Sequence, residues 1–384
     1  MPKLIVKNKV AVPVLRSDEK KYITYDVVNN KATKSTITEF KLPKNVNDVD
    51  NYALYGLHYN NSKLKTVNLS SLENISGAYA LGSAFQSCAS LESADLSNLE
   101  SITGQYALTS TFYGSSIETI DLSSLSVVGY YALQSAFYNC QRLTSIDLSA
   151  LTSIGVYGLQ STFNQCYNLT SIDLSSLASI GNYGLESAFN YCNNLRYFIL
   201  NNLSLLNNDY CFSSAFAYAQ ENFKSIDLKC IEQITGNYNF QSTFYYCRDL
   251  ETIDFSGLQT ITGNYNFQNM CYQCSKLKNI YFNNLESIPS SPNNHNFYYA
   301  FQNCPLIERV DFPKLSSNGV NITGDDEYTN PFYGCFYQCT GITELHFHNS
   351  LSQYSSYLTK EVLFGGTDSS YCHPNLQILF DLGL

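Results

Sequence analysis

The sequence repeats itself roughly every 26–28 residues, and this periodicity constrains the fold more than any other feature. Residues 143–168 read LTSIDLSALTSIGVYGLQSTFNQCYN, and the segment that begins at Leu169 differs from them at only a few positions. Such self-similarity is typical of units that stack in one dimension and contact mainly their neighbours. The same frame begins at Ile37, Leu64, Leu91, Ile117, Leu143, Leu169, Leu195, Phe223, Leu250, Leu277, Ile307 and Ile342.

Each coil of the repeat shows two hydrophobic periods in succession. Ile146 and Leu148 alternate with polar residues, which predicts a half-buried β-strand. Leu159, Phe163 and Cys166 follow at helical spacing, which predicts a short helix or 3₁₀ segment. We therefore expect an α/β repeat solenoid of about twelve coils, each with one strand and one short helix or 3₁₀ segment, and a parallel β-sheet on one face.

The pattern A-F-x-x-C-x-x-L followed by x-x-I-D-L resembles the BspA-like leucine-rich repeat family. The stretch from Ser135 to Leu143, SAFYNCQRL, matches it closely, and the resemblance extends over about residues 37–382. It implies a leucine-rich repeat solenoid. Repeats of this type are similar to those of bacterial surface adhesins, protist surface proteins and bacteriophage virion proteins, so the resemblance also implies a binding or adhesion role.

The two ends of the chain depart from the repeat. Residues 1–36 lack it but contain strand-like stretches, so they form either a β-rich cap or an attachment segment for a larger assembly. Residues 37–384 are the solenoid, with insertions in the C-terminal coils at about 290–371. Insertions in repeat proteins map to loops on one face, and loops on a rigid scaffold often carry function.

Charge and hydropathy exclude several classes of partner. The formal charge of −10 argues against nucleic acid and against an anionic membrane surface, since only Lys3, Lys7, Lys9, Lys20 and Lys21 form a light basic excess. No apolar run is long enough for membrane insertion. The N-terminus shows no signal-peptide pattern, so we expect synthesis in the cytoplasm and display on a virion surface, otherwise on a cell surface.

Cysteine spacing predicts reduced core thiols rather than a disulfide framework. Of thirteen cysteines, eight recur at one position of the repeat, where they would pack as small hydrophobes. These are Cys88, Cys140, Cys166, Cys192, Cys247, Cys274, Cys304 and Cys339.

The predicted strands place a column of carboxylates on the outer strand face, beside columns of serine and threonine. Stacked carboxylates repel one another, whereas neighbouring hydroxyls can donate hydrogen bonds to them. The column is therefore either a solvated or hydroxyl-bonded structural ladder or a face that binds a ligand or cation. Its members are Asp95, Asp121, Asp147, Asp173, Asp227, Asp254 and Asp311.

A second column is aromatic, and its role is open in the same way. Tyrosine gives amphipathic contact area that suits recognition, but strict recurrence at one coil position also results from packing between coils. The column consists of Tyr52, Tyr79, Tyr106, Tyr131, Tyr157, Tyr183, Tyr210, Tyr238 and Tyr265.

Two further candidates lie in the C-terminal coils. Asp325, Asp326 and Glu327 occupy an insertion loop, which is either a cation or partner site or a solvated acidic loop. Glu344, His346 and His348 alternate along one strand, close to Asp311 of the previous coil, and such a set could bind zinc. An ion pair or a surface patch is the alternative explanation.

The sequence lacks the nucleophile elbow, the Walker loop, the dinucleotide fingerprint and the His-Glu-x-x-His motif. We therefore expect no enzyme and no cofactor. The predicted function is a binding or adhesion solenoid, either a bacteriophage structural or host-recognition protein or a cellular surface adhesin. Its expected partners are other proteins, namely virion components or a host surface receptor, or a glycan, and a homo-oligomer is compatible with this prediction.

Overall fold

The computed structural model of the protein describes residues 4–7, 10–13, 22–23, 38–42, 44, 46–289, 294–320, 322, 324–325, 329–366 and 372–382. The chain divides into two compact units, Met1–Cys192 and Asn193–Leu384. Each unit consists of stacked coils whose strands pair in parallel with strands of the neighbouring coils. We call the first strand of a coil its A strand and the second, where present, its B strand.

The first unit contains six coils with both strands. Its A strands are Glu39–Lys41, Thr66–Asn68, Ser93–Asp95, Thr119–Asp121, Ser145–Asp147 and Ser171–Asp173. Its B strands are Asp48–Val49, Asn74–Ile75, Ser101–Ile102, Val127–Val128, Ser153–Ile154 and Ser179–Ile180. The alternation that predicted the A strands is confirmed, since Ile146 is buried between exposed Ser145 and Asp147.

The third side of each coil is a series of tight turns, and here the predicted helix or 3₁₀ segment is wrong. In residues 157–166, the N–H groups of Gln160 and Thr162 donate to the carbonyls three residues earlier. The alternate N–H groups, such as those of Leu159 and Phe163, donate to Gly184 and Ala188 of the next coil. A helix would keep all these bonds within its own segment. These residues instead form successive turns that are also bonded to the next coil, and we call this part of a coil the turn segment.

Backbone conformation explains why helical spacing was misleading. Tyr157, Ser161 and Gln165 all have left-handed φ angles, of 54°, 52° and 62°. A left-handed residue every fourth position breaks a right-handed helix, but the four-residue period still directs Leu159 and Phe163 into the core. The same three left-handed positions recur in most other coils, for example at Tyr183, Ser187 and Tyr191 in the first unit and at Tyr238, Ser242 and Tyr246 in the second.

Identical side chains form the interior. The rings of Phe112, Phe137, Phe163 and Phe189 stack from coil to coil with centroids 5.3–5.7 Å apart. All four rings are at most 1% exposed. Each stacked pair adds roughly 0.5–1.5 kcal/mol beyond its area burial, so the core stabilises the contact between coils more than any single coil.

The first three coils of the second unit have both strands, whereas its later coils have only the A strand in the described residues. Its A strands are Tyr197–Ile199, Ser225–Asp227, Thr252–Asp254, Asn279–Tyr281, Arg309–Phe312, Glu344–His348 and Gln377–Leu382. Its B strands are Leu205–Leu206, Gln233–Ile234 and Thr260–Ile261. The two helices within the described residues lie in an insertion, a 3₁₀ helix at Asn349–Tyr354 and an α-helix at Lys360–Leu363.

The coil count is lower than predicted. Every predicted frame contains an A strand, and Gln377–Leu382 adds another, but only nine coils carry both strands in the part of the chain that the structure describes. The later coils keep their A strands, but no B strand is assigned after Ile261 in the described residues, and Ser287 forms only an isolated parallel bridge with Thr260.

The N-terminal segment is described only in part. Leu4–Lys7 pairs antiparallel with Val10–Pro13, and Tyr22–Ile23 pairs in parallel with the B strand Asp48–Val49. The remainder of residues 1–36 lies outside the described residues. Whether this segment is a cap or an attachment module therefore stays a prediction.

Candidate functional site

The predicted carboxylate column of the first unit lies at the last position of each A strand. Parallel pairing sets Asp95 opposite Asp121, and Asp147 opposite Asp173. Neighbouring parallel strands lie about 4.8 Å apart, so the four carboxylates form a row about 14 Å long. The side chains of Asp121 and Asp147 are exposed, and those at the two ends of the row are half-buried.

Each of these aspartates also shapes the turn that follows its strand. Oδ1 of Asp147 accepts hydrogen bonds from the backbone N–H of Ser149 at 2.9 Å and from its hydroxyl at 2.7 Å. Asp121 makes the same pair of bonds with Ser123, at 3.0 and 2.8 Å. This Asx turn ends the strand, so the hydroxyl-bonded ladder predicted as one alternative is present.

The turn requires an Asx side chain but not its charge. Asn68 occupies the equivalent position in the preceding coil, opposite Asp95. Its Oδ1 accepts from the N–H of Ser70 at 3.3 Å and from the Ser70 hydroxyl at 2.9 Å. The local structure is therefore kept without a carboxylate, so the negative charge in the next four coils is not needed to form the turn.

The four carboxylates line a shallow depression on the strand face, which we call the strand-face groove. It is open to solvent and has a volume of about 800 Å³. Its polar walls are formed by the outward side chains of the A strands and by the serines of the Asx turns. These residues are Ser93, Asp95, Ser97, Thr119, Asp121, Ser123, Ser145, Asp147, Ser149, Ser171 and Asp173.

The groove carries uncompensated negative charge. None of its four carboxylates has an ion-pair partner among the described residues. Residues 66–192 contain nine acidic side chains and a single basic one, Arg142, whose guanidinium pairs with Glu118.

The same column is different in the second unit. Lys229 Nζ lies 2.6 Å from Asp227, and Arg309 Nε lies 2.9 Å from Asp311. Asp254 keeps the Asx turn, accepting from the N–H of Ser256 at 2.8 Å. The predicted aspartates therefore differ in their electrostatic surroundings, because Asp227 and Asp311 of the second unit form ion pairs and the four aspartates of the groove form none among the described residues.

The insertion-loop candidate can be placed only in part. Asp325 is exposed, whereas Asp326 and Glu327 lie outside the described residues. Their role as a cation or partner site stays a prediction.

The Glu–His–His strand is not arranged as the predicted ligand set. Nε2 of His346 lies 3.0 Å from Oε2 of Glu344, and its Nδ1 lies 2.8 Å from Oδ1 of Asp381 on the next strand. A β-bulge separates Phe347 from His348. His348 instead accepts the N–H of Ser350 and caps the 3₁₀ helix. The predicted proximity of Asp311 is confirmed, since it pairs with His346 across the sheet.

Both nitrogens of His346 are thus occupied by carboxylates. Burial lowers the pKa of His346, but the hydrogen bonds to Glu344 and Asp381 outweigh it, so that its pKa is raised overall. Within the described ranges, no group of three or more His, Cys, Asp or Glu side chains could hold a metal ion. Glu344, His346 and Asp381 are better described as an ionic contact between the last two strands.

The tyrosine column is a continuous stack in each unit. In the first unit, successive ring centroids from Tyr52 to Tyr183 lie 4.4–5.1 Å apart with interplanar angles of at most 19°. In the second unit, Tyr210, Tyr238 and Tyr265 stack at 4.6–4.7 Å. The ring faces are covered by neighbouring rings, which supports the packing alternative for this column.

Two features of the interior were not predicted from the sequence. The recurrent thiols are hydrogen-bond donors as well as hydrophobes, since Sγ of Cys166 donates to the carbonyl of Phe137 in the previous coil at 3.1 Å. His58 takes the place of phenylalanine in the core column, and neither of its ring nitrogens has a hydrogen-bond partner. The second feature was accessible from the sequence, because His58 aligns with Phe85 in the repeat.

No described helix has the length and apolar character needed to cross a membrane.

Comparison with a family described as the BspA type leucine rich repeat region gives a match in six copies. The matched residues are 26–136, 108–243, 160–295, 217–318 and 272–361. No curated protein matches the sequence.

Several solved leucine-rich repeat structures are similar to this chain. A leucine-rich repeat protein from Bacteroides ovatus is 17% identical, with 94% of this chain and 99% of that chain covered and a TM-score of 0.44. A leucine rich cell surface protein from Faecalibacterium prausnitzii is 15% identical, with 91% and 92% covered and a TM-score of 0.35. The pneumococcal vaccine antigen PcpA is 14% identical, with 90% and 89% covered and a TM-score of 0.34.

Proposed function

We propose that this chain, which belongs to the BspA-type leucine-rich repeat family, is a non-enzymatic binding protein that recognises its partner through the strand-face groove. The observation that carries the proposal is the row of four carboxylates in a hydroxyl-lined groove, none of which has an ion-pair partner within the described part of the chain. The family is generally a repeat scaffold for binding, which is consistent with this role.

The groove chemistry defines the kind of partner that fits. Carboxylates accept hydrogen bonds and attract cations, and serine hydroxyls both donate and accept. A partner with amino or guanidinium groups, or with many hydroxyls as in a glycan, would satisfy these atoms. The stacked coils hold the side chains in place before binding, so little ordering entropy is lost.

Charge-neutral substitutions test the groove without disturbing its turns. Asp121→Asn with Asp147→Asn removes two charges, and Asn68 shows that asparagine supports the same turn. Glu73→Gln with Glu100→Gln is the matched control, because it removes two exposed charges of the same unit outside the groove. Binding of the purified protein to intact bacterial cells and to a glycan array is then compared among the three proteins.

We expect the groove variant to lose binding at least about tenfold and the control to bind like the parent, since loss of a charged contact at a binding surface commonly costs more than about 1.4 kcal/mol. Equal binding by all three proteins would remove the groove from the function. Binding lost only on deletion of residues 313–330 would place recognition in the insertion loop.

We further propose that the protein is displayed at a surface, as a structural or host-recognition component of a bacteriophage virion. The alternative is a cellular adhesin of the BspA-like type. Immunogold imaging separates the two, since label on particles supports the virion and label confined to the cell envelope supports the adhesin.

A further inference from the structure

The column of recurrent cysteines, whose last predicted member is Cys339, continues for one more coil. Cys372 is the register partner of Cys339 in an isolated parallel β-bridge. Cys339 is fully buried, whereas Cys372, in the last described coil, is half-buried. The column therefore ends in a pair of neighbouring thiols, one of which is accessible to small molecules in solution.

This bridge has the same register as the strands that follow it. Cys339 and Cys372 are thirty-three residues apart, and so are the strand partners Glu344 and Gln377. The chain between the two cysteines contains the 3₁₀ helix and the α-helix of the C-terminal insertion. The two thiols therefore lie at the base of this insertion, where the last two described coils are already paired.

The backbone geometry of the pair suits a covalent link. Neighbouring parallel strands lie about 4.8 Å apart, and the Cα atoms of a disulfide are usually about 4.4–6.8 Å apart. Register partners also project to the same side of a sheet. Sγ of Cys339 donates to the carbonyl of Phe301 in the previous coil at 2.7 Å. Rotation about χ1 turns this sulfur away from Phe301 and towards Cys372, without a change in strand pairing.

We propose that Cys339 and Cys372 are a redox-active pair, which forms a disulfide on reaction with a small-molecule disulfide such as oxidised glutathione. The bond joins the last two described coils and closes a loop around the insertion. Accessibility distinguishes this pair from its neighbours in the column. Cys274 and Cys304 are both fully buried, so a dissolved oxidant does not reach them in the folded protein.

Thiol–disulfide exchange forms the bond in two steps. The Cys372 thiolate attacks one sulfur of oxidised glutathione, and the other half leaves as a thiolate that takes up a proton. The Cys339 thiol then loses its proton to water and attacks the Cys372 sulfur, which releases the second glutathione. The two cysteines together lose two electrons and two protons, and oxidised glutathione takes up both to become two thiols.

The second step is the slower one. Burial raises the pKa of the Cys339 thiol well above its usual range, so little of it is present as the reactive thiolate. The mixed disulfide between Cys372 and glutathione should therefore accumulate first and then decay as the protein disulfide forms.

The disulfide should restrict the strand Gln377–Leu382. Among the described residues this strand pairs on one side only, with Glu344–His348. Strands with few partners open locally more often than the rest of a fold. A covalent link five residues before Gln377 limits this opening. We expect amide hydrogen exchange of residues 377–382 to be at least tenfold slower in the oxidised protein than in the reduced protein.

Peptide mapping of the full-length protein tests the proposal. The folded protein is incubated with oxidised glutathione at pH 8, the remaining thiols are alkylated, and the chain is cleaved with trypsin. Cleavage after Lys360 separates the two cysteines, so the disulfide appears as a link between peptides 315–360 and 361–384. We expect this link in most molecules, with two glutathiones released for each link, and its loss on reduction with dithiothreitol.

Substitutions assign the link to its two sulfurs. Cys372→Ala should form no link, and Cys339→Ala should stop at the mixed disulfide on Cys372. Cys230→Ala removes the other half-buried thiol and is the matched control, which should form the link like the parent. Circular dichroism shows whether each variant is folded. Fragmentation of the linked peptide distinguishes Cys339 from Cys335 in the parent, so the assignment does not depend on any variant being folded.

A parent protein in which Cys372 stays as the mixed disulfide overturns the proposal, because Cys372 is then only an accessible thiol. A link that appears only after unfolding in urea, or that contains Cys335 instead of Cys339, also overturns it. Equal hydrogen exchange of residues 377–382 in the oxidised and reduced proteins would show that the bond does not restrict the last strand.

Discussion

The imidazole Nδ1 of His346 lies 2.8 Å from Oδ1 of Asp381, thirty-five residues further along the chain. The contact joins the strand Glu344–His348 to the neighbouring strand Gln377–Leu382. Glu344 holds the other nitrogen at 3.0 Å. A protonated ring can donate to both carboxylates, whereas a neutral ring can donate to only one of them.

This contact should make the last strand of the second unit sensitive to pH. Because the pKa of His346 is raised in the folded protein, the stabilisation is fully present below the unfolded value of 6.5 and is lost as pH rises through the folded pKa. Amide hydrogen exchange of residues 377–382 at pH 5.5 and 8.5 measures it. We expect faster exchange at pH 8.5, after correction for intrinsic rates, and a smaller difference in Asp381→Asn. An unchanged difference in that variant would contradict the assignment.

His58 should produce the opposite pH dependence in the first unit. Its ring packs against Phe40 and Phe85, and burial lowers its pKa to about 4. Between pH 6.5 and about 4, the unfolded chain binds a proton at this histidine that the folded chain does not bind. The free energy of unfolding therefore decreases as the pH is lowered through this range, by up to roughly 3 kcal/mol.

His58→Phe restores the residue found in the neighbouring coils and should remove this dependence. Urea unfolding of parent and variant at pH 4, 5 and 7 gives the comparison. The two curves should separate most at pH 4, and a constant separation would show that protonation of His58 is not responsible.

Stacking of the Tyr157 ring should offset the strain of its left-handed backbone conformation. Tyr157 has a φ of 54° and stacks on Tyr131 at 4.4 Å and on Tyr183 at 4.5 Å. Tyr157→Ala removes both aromatic pairs and should destabilise the protein by about 2 kcal/mol. Tyr157→Gly also removes them but relieves the left-handed conformation, so it should recover about 1 kcal/mol relative to alanine. Chemical unfolding of the two variants measures the difference, and alanine equal to glycine would exclude strain at this position.

The Asx turn should separate the structural role of Asp147 from its charge. Asp147→Asn keeps an acceptor for the N–H and hydroxyl of Ser149 and should change stability by less than about 0.5 kcal/mol. Asp147→Ala removes the acceptor and should cost about 1 kcal/mol. Thermal unfolding distinguishes the two, and similar losses for both variants would show that the charge itself stabilises the turn.

The thiol column should be chemically unreactive in the folded protein. Eleven of the thirteen cysteines are buried, Cys230 and Cys372 being the half-buried exceptions. Burial raises the pKa of the Cys140 thiol to about 12, and thiolate is the reactive form. Reaction with a coloured disulfide reagent at pH 8 should modify at most two thiols quickly, and all thirteen after unfolding. Rapid reaction of more than two would contradict the stacked core.

The repeat alone predicts much of this structure, because the A strands depend on a local alternation that recurs in every coil. Ile146 is buried and Asp147 is exposed for that reason. The turn segment was not predictable in the same way. Leu159 and Phe163 have helical spacing, yet a left-handed residue at every fourth position gives the same inward period, and the choice between them depends on hydrogen bonds to the next coil.

The same distinction between local pattern and tertiary contacts applies to the candidate site. Sequence by itself determined the solenoid, the reduced core cysteines expected from their spacing and the row of aspartates, since these follow from a periodic pattern. Tertiary structure decided which carboxylates are uncompensated, which histidine meets Asp381 and where the helix fails to form. Those outcomes depend on contacts between residues that lie one coil or more apart, and a local pattern carries no information about such contacts.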